Sequence, residues 1–146
     1  MERPIFPAYP PPGGTVVEAA DVHLAPLAGR TVAVVGFGTM GRAHARNLRR
    51  SGIDVIVGSR TGSSSGDEAR REGFPVRSVP EVCAAADVVM LMLPDEAMAT
   101  VYAGEVAPHL GPDAALGFAH GFAIAFDQVT PTPERPCFLV APKGQG

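Results

Sequence analysis

After Gly29 the chain alternates short apolar runs with helical stretches. Thr31-Val32-Ala33-Val34-Val35 is a β-branched run between Gly29 and Gly36 and predicts a strand. Met40 to Arg50 predicts a helix that Gly52 stops. Asp54 to Val57 is a second short apolar strand. The polar loop from Gly58 to Gly66 follows, then a charged helix over Asp67 to Glu72 closed by Gly73. Val76 begins a short strand, Pro80 suits the first turn of a helix reaching Ala86, and Asp87 to Leu93 is apolar enough for a fully buried central strand. Pro94-Asp95-Glu96 opens another helix, and Ala114 to Phe118 and Cys137 to Val140 supply two more strands. Near-continuous apolar strands between helices specify an α/β fold: a doubly wound, mainly parallel sheet with helices on both faces.

Composition narrows the picture. The 146 residues are 46% hydrophobic and 18% charged, a globular balance with room for one domain over residues 15–146. Residues 1–14 hold Pro4, Pro7, Pro10, Pro11 and Pro12 before a glycine pair and predict an extended, disordered tail, with a proline-motif ligand as the functional alternative. A net charge of -3 gives no footprint for nucleic acid or an anionic membrane. The longest apolar stretch, Val88 to Leu93, is too short to span a bilayer and the first residues lack a signal-peptide core, so a cytoplasmic location is expected. Cys83 and Cys137 form no metal or redox spacing and are expected as buried small hydrophobes. Met90, Met92 and Met98 are expected in the core.

The stretch Val34 to Gly41, V-V-G-F-G-T-M-G, places Gly36, Gly38 and Gly41 in G-x-G-x-x-G spacing. Because it follows a predicted strand and opens a predicted helix inside a βαβ unit, it reads as the Rossmann-like turn that holds a dinucleotide pyrophosphate. Gly36 would permit the turn, Gly38 would let the backbone approach the pyrophosphate, and Gly41 would let helix and strand pack closely. Free N-H groups at the helix start would face the anion, with Phe37, Thr39 and Met40 around it.

The end of the second strand decides which dinucleotide. An NAD site usually presents an acid there, and this chain has Gly58-Ser59-Arg60-Thr61-Gly62-Ser63-Ser64-Ser65 instead. A guanidinium and several hydroxyls suit a 2′-phosphate, which favours NADP(H). Arg42, Arg46, Arg49 and Arg50 predict a solvated helix face, with Arg42 alone near enough to assist the pyrophosphate. His120 follows a predicted strand on the side where open α/β sheets bind ligands, where an imidazole could relay protons. His23, His44 and His109 end no core strand.

Taken in order, G-F-G-T-M-G-R-A-H-A-R-N-L-R-R-S-G, V-I-V-G-S-R-T-G-S-S-S, M-L-P-D-E, F-A-H-G-F-A-I-A-F and A-P-K-G-Q-G resemble the N-terminal NADPH domain of ketol-acid reductoisomerase, from about Asp21 to Gly146. The resemblance implies an oxidoreductase of branched-chain amino-acid biosynthesis. Such an enzyme isomerises an acetohydroxy acid by alkyl migration and then reduces it with NADPH. It implies that Arg60, Ser63 and Ser65 hold the adenosine 2′-phosphate, that Leu93 and Pro94 belong to the cofactor site, and that Asp95 lies near the nicotinamide end. It also implies that His120 joins the active-site proton network and that Lys143 stands beside the substrate. The family usually has Gln at Met40, His at Arg42 and polar residues at Ala123 and Ala125. Its two magnesium ions are held by acids of a helical C-terminal domain, so no metal ligand is expected in this chain. The chain is therefore expected to bind NADP(H) without completing the reaction unless that domain or an oligomeric partner is supplied. A freestanding NADPH-binding or sensing module is the alternative.

Overall fold

The computed structural model describes residues 19–141, which form one six-stranded, entirely parallel sheet. The expected tail at residues 1–14 and Lys143 lie outside the described residues. The elements run β1 (Thr31–Val35), α1 (Thr39–Arg50), β2 (Asp54–Gly58), α2 (Ser64–Arg71), β3 (Val76–Arg77) and α3 (Val79–Ala85). They continue with β4 (Val88–Leu91), α4 (Asp95–Val101), β5 (Ala115–Phe118), α5 (Phe122–Ala125) and β6 (Cys137–Leu139). Across the sheet the order is β3-β2-β1-β4-β5-β6, so the chain starts in the middle and winds outward in both directions. No helix among the described residues is long and apolar enough to cross a membrane.

Alternation along each strand divides the core between the two faces. Ala33, Val35, Val89, Leu91, Leu116 and Phe118 point to one face and pack with Val79, Val82 and Cys83 of α3 and Met98 of α4. Val32, Val34, Val55, Val57 and Met90 point to the other and pack with Ala45 of α1, Ala69 of α2, and Phe74. Both layers are buried, which is why the strands read as continuous apolar runs rather than as alternation. The methionines sit where expected: Met90, Met92 and Met98 are all buried.

Local chemistry moves several boundaries. The second helix begins at Ser64, not Asp67, because Ser63 is its N-cap and accepts a hydrogen bond from the Gly66 N-H at 3.0 Å. Serines that read as loop therefore start a helix. The central strand contracts to Val88–Leu91, since the chain turns at Met92 toward Pro94. Pro80 does lie in the first turn of α3, where Ser78 and Glu81 form a reciprocal capping box. Those bonds from Ser78 hold the Glu81 carboxyl below its ordinary range.

One expectation is corrected: Cys83 is buried, but Cys137 is exposed, because β6 is the sheet's edge strand. The expected arginine face of α1 is exposed at Arg46, Arg49 and Arg50, and it carries partners as well: Arg42 pairs with Glu68, Arg46 grips Glu72 through two bonds of 2.8 and 2.7 Å, and Arg49 donates to the Glu72 carbonyl while covering the Phe74 ring at 3.9 Å. They tie α1 to α2 and the turn after it. The Arg46 hydrogen bonds lower the Glu72 pKa and raise that of Arg46.

Candidate functional site

Strand register puts the site together. Val35 lies level with Gly58 on one side and Leu91 on the other, and Leu91 lies level with Phe118. Gly36, Ser59, Met92 and Ala119, each one step further on, therefore emerge along one edge. There they border a cleft of about 570 Å³, at the carboxyl ends of the strands where the winding reverses.

The Gly-rich turn forms one wall. Gly36 has φ of +95°, and a Cβ on it would come within 2.6 Å of the Met92 carbonyl oxygen. A Cβ on Gly41 would collide with the carbonyl oxygen of Gly36, so Gly41, buried beneath the turn, lets α1 sit against the strand. Gly38 is different. Its backbone, φ -75° and ψ -165°, is open to any residue, and a Cβ there would meet nothing within 4 Å. Packing within the chain gives no reason for glycine, whereas close approach of a ligand does. Gly38 is also the N-cap of α1, and no side chain caps that helix, so first-turn amides face the cleft without an intrahelical acceptor. Phe37 is buried edge-on against Phe74 at 5.4 Å and anchors the turn, while Thr39 and Met40 line the cleft and are exposed.

At one end of the cleft stand Ser59, Arg60, Ser63 and Ser65. The Ser59 and Ser63 hydroxyls are 2.6 Å apart, and those of Ser63 and Ser65 are 3.3 Å apart. Arg60 is exposed, and its guanidinium pairs with no carboxylate among the described residues. Arg60 and the Ser63 and Ser65 hydroxyls, at the start of a helix, form a donor set for a doubly charged phosphate. Arg42, expected near the pyrophosphate, is instead committed to Glu68.

At the other end Leu93, Pro94 and His120 line the cleft above a floor of Leu91, Met98, Val101 and Phe118. The backbone N-H of Phe122 donates to His120 Nδ1 at 3.4 Å, so in the neutral ring the proton belongs on Nε2. That nitrogen faces Asp95 Oδ1 at 3.4 Å. Asp95 Oδ1 is itself buried without a hydrogen-bond partner among the described residues, so the imidazole is its nearest means of satisfaction. The pair can hold and orient a proton at the rim of the apolar floor.

The structure thus gathers Gly36, Phe37, Gly38, Thr39, Met40, Arg60, Ser63, Ser65, Leu93, Pro94 and His120 around one cleft, with Gly41 beneath and Asp95 at its edge. Ser59, read in the sequence only as one of several hydroxyls of the loop and not singled out, also lines the cleft one residue past β2. A larger apolar groove of about 920 Å³ lies between α1 and β6, lined by Val32, Leu48, Met90 and Phe138, but among the described residues no Gly-rich turn borders it and its arginine, Arg30, is paired with Asp87.

Comparison with known proteins follows the same geometry. A family model described as acetohydroxy acid isomeroreductase, NADPH-binding domain, matches residues 26–146. Ketol-acid reductoisomerase (NADP(+)) 2 of Bifidobacterium longum strain NCC 2705 is 48% identical over 132 residues, which is 90% of this chain and 38% of that protein. Ketol-acid reductoisomerase (NADP(+)) of Bifidobacterium animalis subsp. lactis strain AD011 is 46% identical over 126 residues, 86% of this chain and 36% of that protein. The solved structure of an NADH-preferring ketol-acid reductoisomerase from an uncultured archean superposes with a TM-score of 0.84 at 34% identity, over 90% of this chain and 41% of that one. The chain spans well under half the length of these relatives.

Proposed function

The chain belongs to the acetohydroxy acid isomeroreductase family, whose NADPH-binding domain it carries, and from that premise we propose how the cofactor lies and what this chain does with it. The pyrophosphate crosses Gly38 and the amides of α1. The adenosine 2′-phosphate meets Arg60, Ser63 and Ser65, and the nicotinamide points toward Leu93, Pro94, Asp95 and His120. The single observation that carries this reading is the pairing, in one cleft, of a glycine whose Cβ would meet only open space with an arginine that pairs with no carboxylate among the described residues.

Bound NADPH supplies a hydride. The chain's own residues bind and orient it: the apolar floor excludes water beneath the ring, and His120 holds a proton on Nε2 under the control of Asp95. By family, the whole protein reduces and isomerises acetohydroxy acids in branched-chain amino-acid biosynthesis. By the same motif match Lys143 is assigned a role toward the substrate, and magnesium would be held by acids of a helical C-terminal domain. We place that chemistry in the cytoplasm and outside the reach of this chain acting alone. A second reading, a non-catalytic NADPH-binding module that works with a partner, is favoured by α5. There Ala125 is exposed, and the exposed rings of Phe122 and Phe126 lie against each other with centroids 4.6 Å apart, so the helix presents an apolar surface.

Calorimetric titration of the chain with NADPH and NADH tests the binding. NADPH should bind at least about tenfold tighter, and Arg60→Ala should remove most of the difference, since a hydrogen bond to a charged group contributes roughly 1.5–3 kcal/mol. Equal affinities, or none, would refute it. Acetolactate turnover by the pure chain with magnesium and NADPH, abolished by His120→Ala, would overturn the claim that the chain is insufficient.

A further inference from the structure

The geometry points to Ser59 as a specificity-determining positioning residue, which turns the Ser63 hydroxyl into a donor for a phosphate on the adenosine ribose. It rests on the NADPH reading above and deepens it. Ser59 is half-buried, lines the cleft one residue beyond β2, and is fixed by its own N-H, which donates to the Arg77 carbonyl at 3.0 Å. From this position many dinucleotide sites reach the ribose hydroxyls with an acid.

A serine hydroxyl has one proton and two lone pairs. One lone pair of Ser63 Oγ is taken by the Gly66 N-H at 3.0 Å, the bond that caps α2. The close neighbour at 2.6 Å is Ser59 Oγ, and either oxygen can be the donor. If Ser63 donates to Ser59, its proton is spent inside the protein, and Ser59 has only the Arg60 carbonyl at 3.4 Å for its own. If Ser59 donates to Ser63, both Ser63 lone pairs are filled and its proton must point outward, to Ser65 at 3.3 Å or to a ligand. A phosphate, which offers only acceptors, selects the second arrangement; a ribose hydroxyl carries its own proton and selects neither. A Ser59 hydroxyl that donates to Ser63 polarises the Ser63 O-H toward an acceptor-only group, and through that bond Ser59 favours the phosphorylated ribose over the bare one. Gly66 belongs to the same device, because a Cβ there would lie 2.6 Å from Ser59 Oγ and 3.1 Å from Ser63 Oγ and would force the two hydroxyls apart.

The readout is the ratio of NADH to NADPH dissociation constants, measured calorimetrically for the wild-type chain, Ser59→Ala, Ser63→Ala, the double variant and Gly66→Ala. Ser59→Ala should lower the ratio by about threefold to tenfold, the range expected for one hydrogen bond. The effect should vanish in the Ser63→Ala background, and Gly66→Ala should reproduce it. An unchanged ratio in Ser59→Ala, a full effect persisting without the Ser63 hydroxyl, or equal weakening of both nucleotides would each overturn the role of Ser59. A wild-type chain with no preference for NADPH would instead overturn the cofactor reading beneath it, so the two failures are told apart.

Discussion

The substitution Gly38→Ser separates the fold's need for glycine from the ligand's. Gly38 sits at the N-cap of α1 in an extended conformation that serine adopts freely, and its missing Cβ would project into space empty to 4 Å. Serine at an N-cap is better than glycine by a few tenths of a kcal/mol. Replacing glycine where the backbone is compatible also removes roughly 0.4–1 kcal/mol of unfolded-state freedom. The variant should therefore be more stable by about 0.5–1.5 kcal/mol, which for a domain of this size raises Tm by roughly 2–5 °C. The same Cβ and hydroxyl stand between the helix amides and a pyrophosphate, so NADPH affinity should fall at least about tenfold, or about 1.4 kcal/mol. Gly41→Ala is the contrast: its Cβ meets the Gly36 carbonyl, and forced overpacking of this kind costs about 1–3 kcal/mol, lowering Tm. Thermal unfolding and calorimetric titration on both variants decide the matter. A Gly38→Ser chain that binds NADPH like the wild type would refute the placement of the pyrophosphate, and one that unfolds several degrees earlier would refute the reading of the open Cβ position.

Other consequences are equally direct. Glu81 and Glu72 both have carboxyls held below the ordinary value of 4.5, by Ser78 and Arg46 respectively. Their stabilising contribution is thus complete above about pH 4.5 and is lost as the pH falls through the depressed folded values. Glu81→Gln should be less stable than wild type at pH 7, with the gap closing on acidification; a gap independent of pH would contradict this. Burial pushes the Cys83 thiol up to about 12, whereas Cys137 is exposed, so a thiol reagent at pH 8 should label one cysteine in the native chain and two after unfolding. Native labelling at Cys83 in a peptide map would show that the α3 face opens. Leu116, fully buried on β5, should cost about 2–5 kcal/mol when cut to alanine, read from urea unfolding.

The parallel sheet was legible because both faces of its central strands are covered, so β1, β4 and β5 wrote themselves as near-continuous apolar runs. The cleft was legible because its turn needs glycines at fixed spacing. What the sequence hid were pairings between elements. Nothing in the spacing of Arg42, Arg46 and Arg49 says that Glu68, Glu72 and Phe74 lie within reach, since that depends on α1 and α2 packing side by side on one face. Ser63 looked like loop because a cap is a polar residue whose partner, the Gly66 amide, is invisible in composition. Ser59 was not told apart from the other loop hydroxyls for a related reason: its importance comes from a neighbour four residues on, brought to 2.6 Å by the turn into α2. Cys137 read as buried because its strand is apolar, and only the sheet order reveals β6 as an edge.

Chemical-shift mapping of the isotopically labelled chain during NADPH titration tests the placement of the cofactor most directly. Binding in the cleft predicts the largest shifts at the amides of Phe37 to Gly41 and Arg60 to Ser65, with smaller ones around Asp95 and His120. NADH should move the first group and His120 but leave the Arg60 to Ser65 amides close to their free positions. Shifts confined to the groove between α1 and β6, or a spectrum that NADPH does not change, would contradict it.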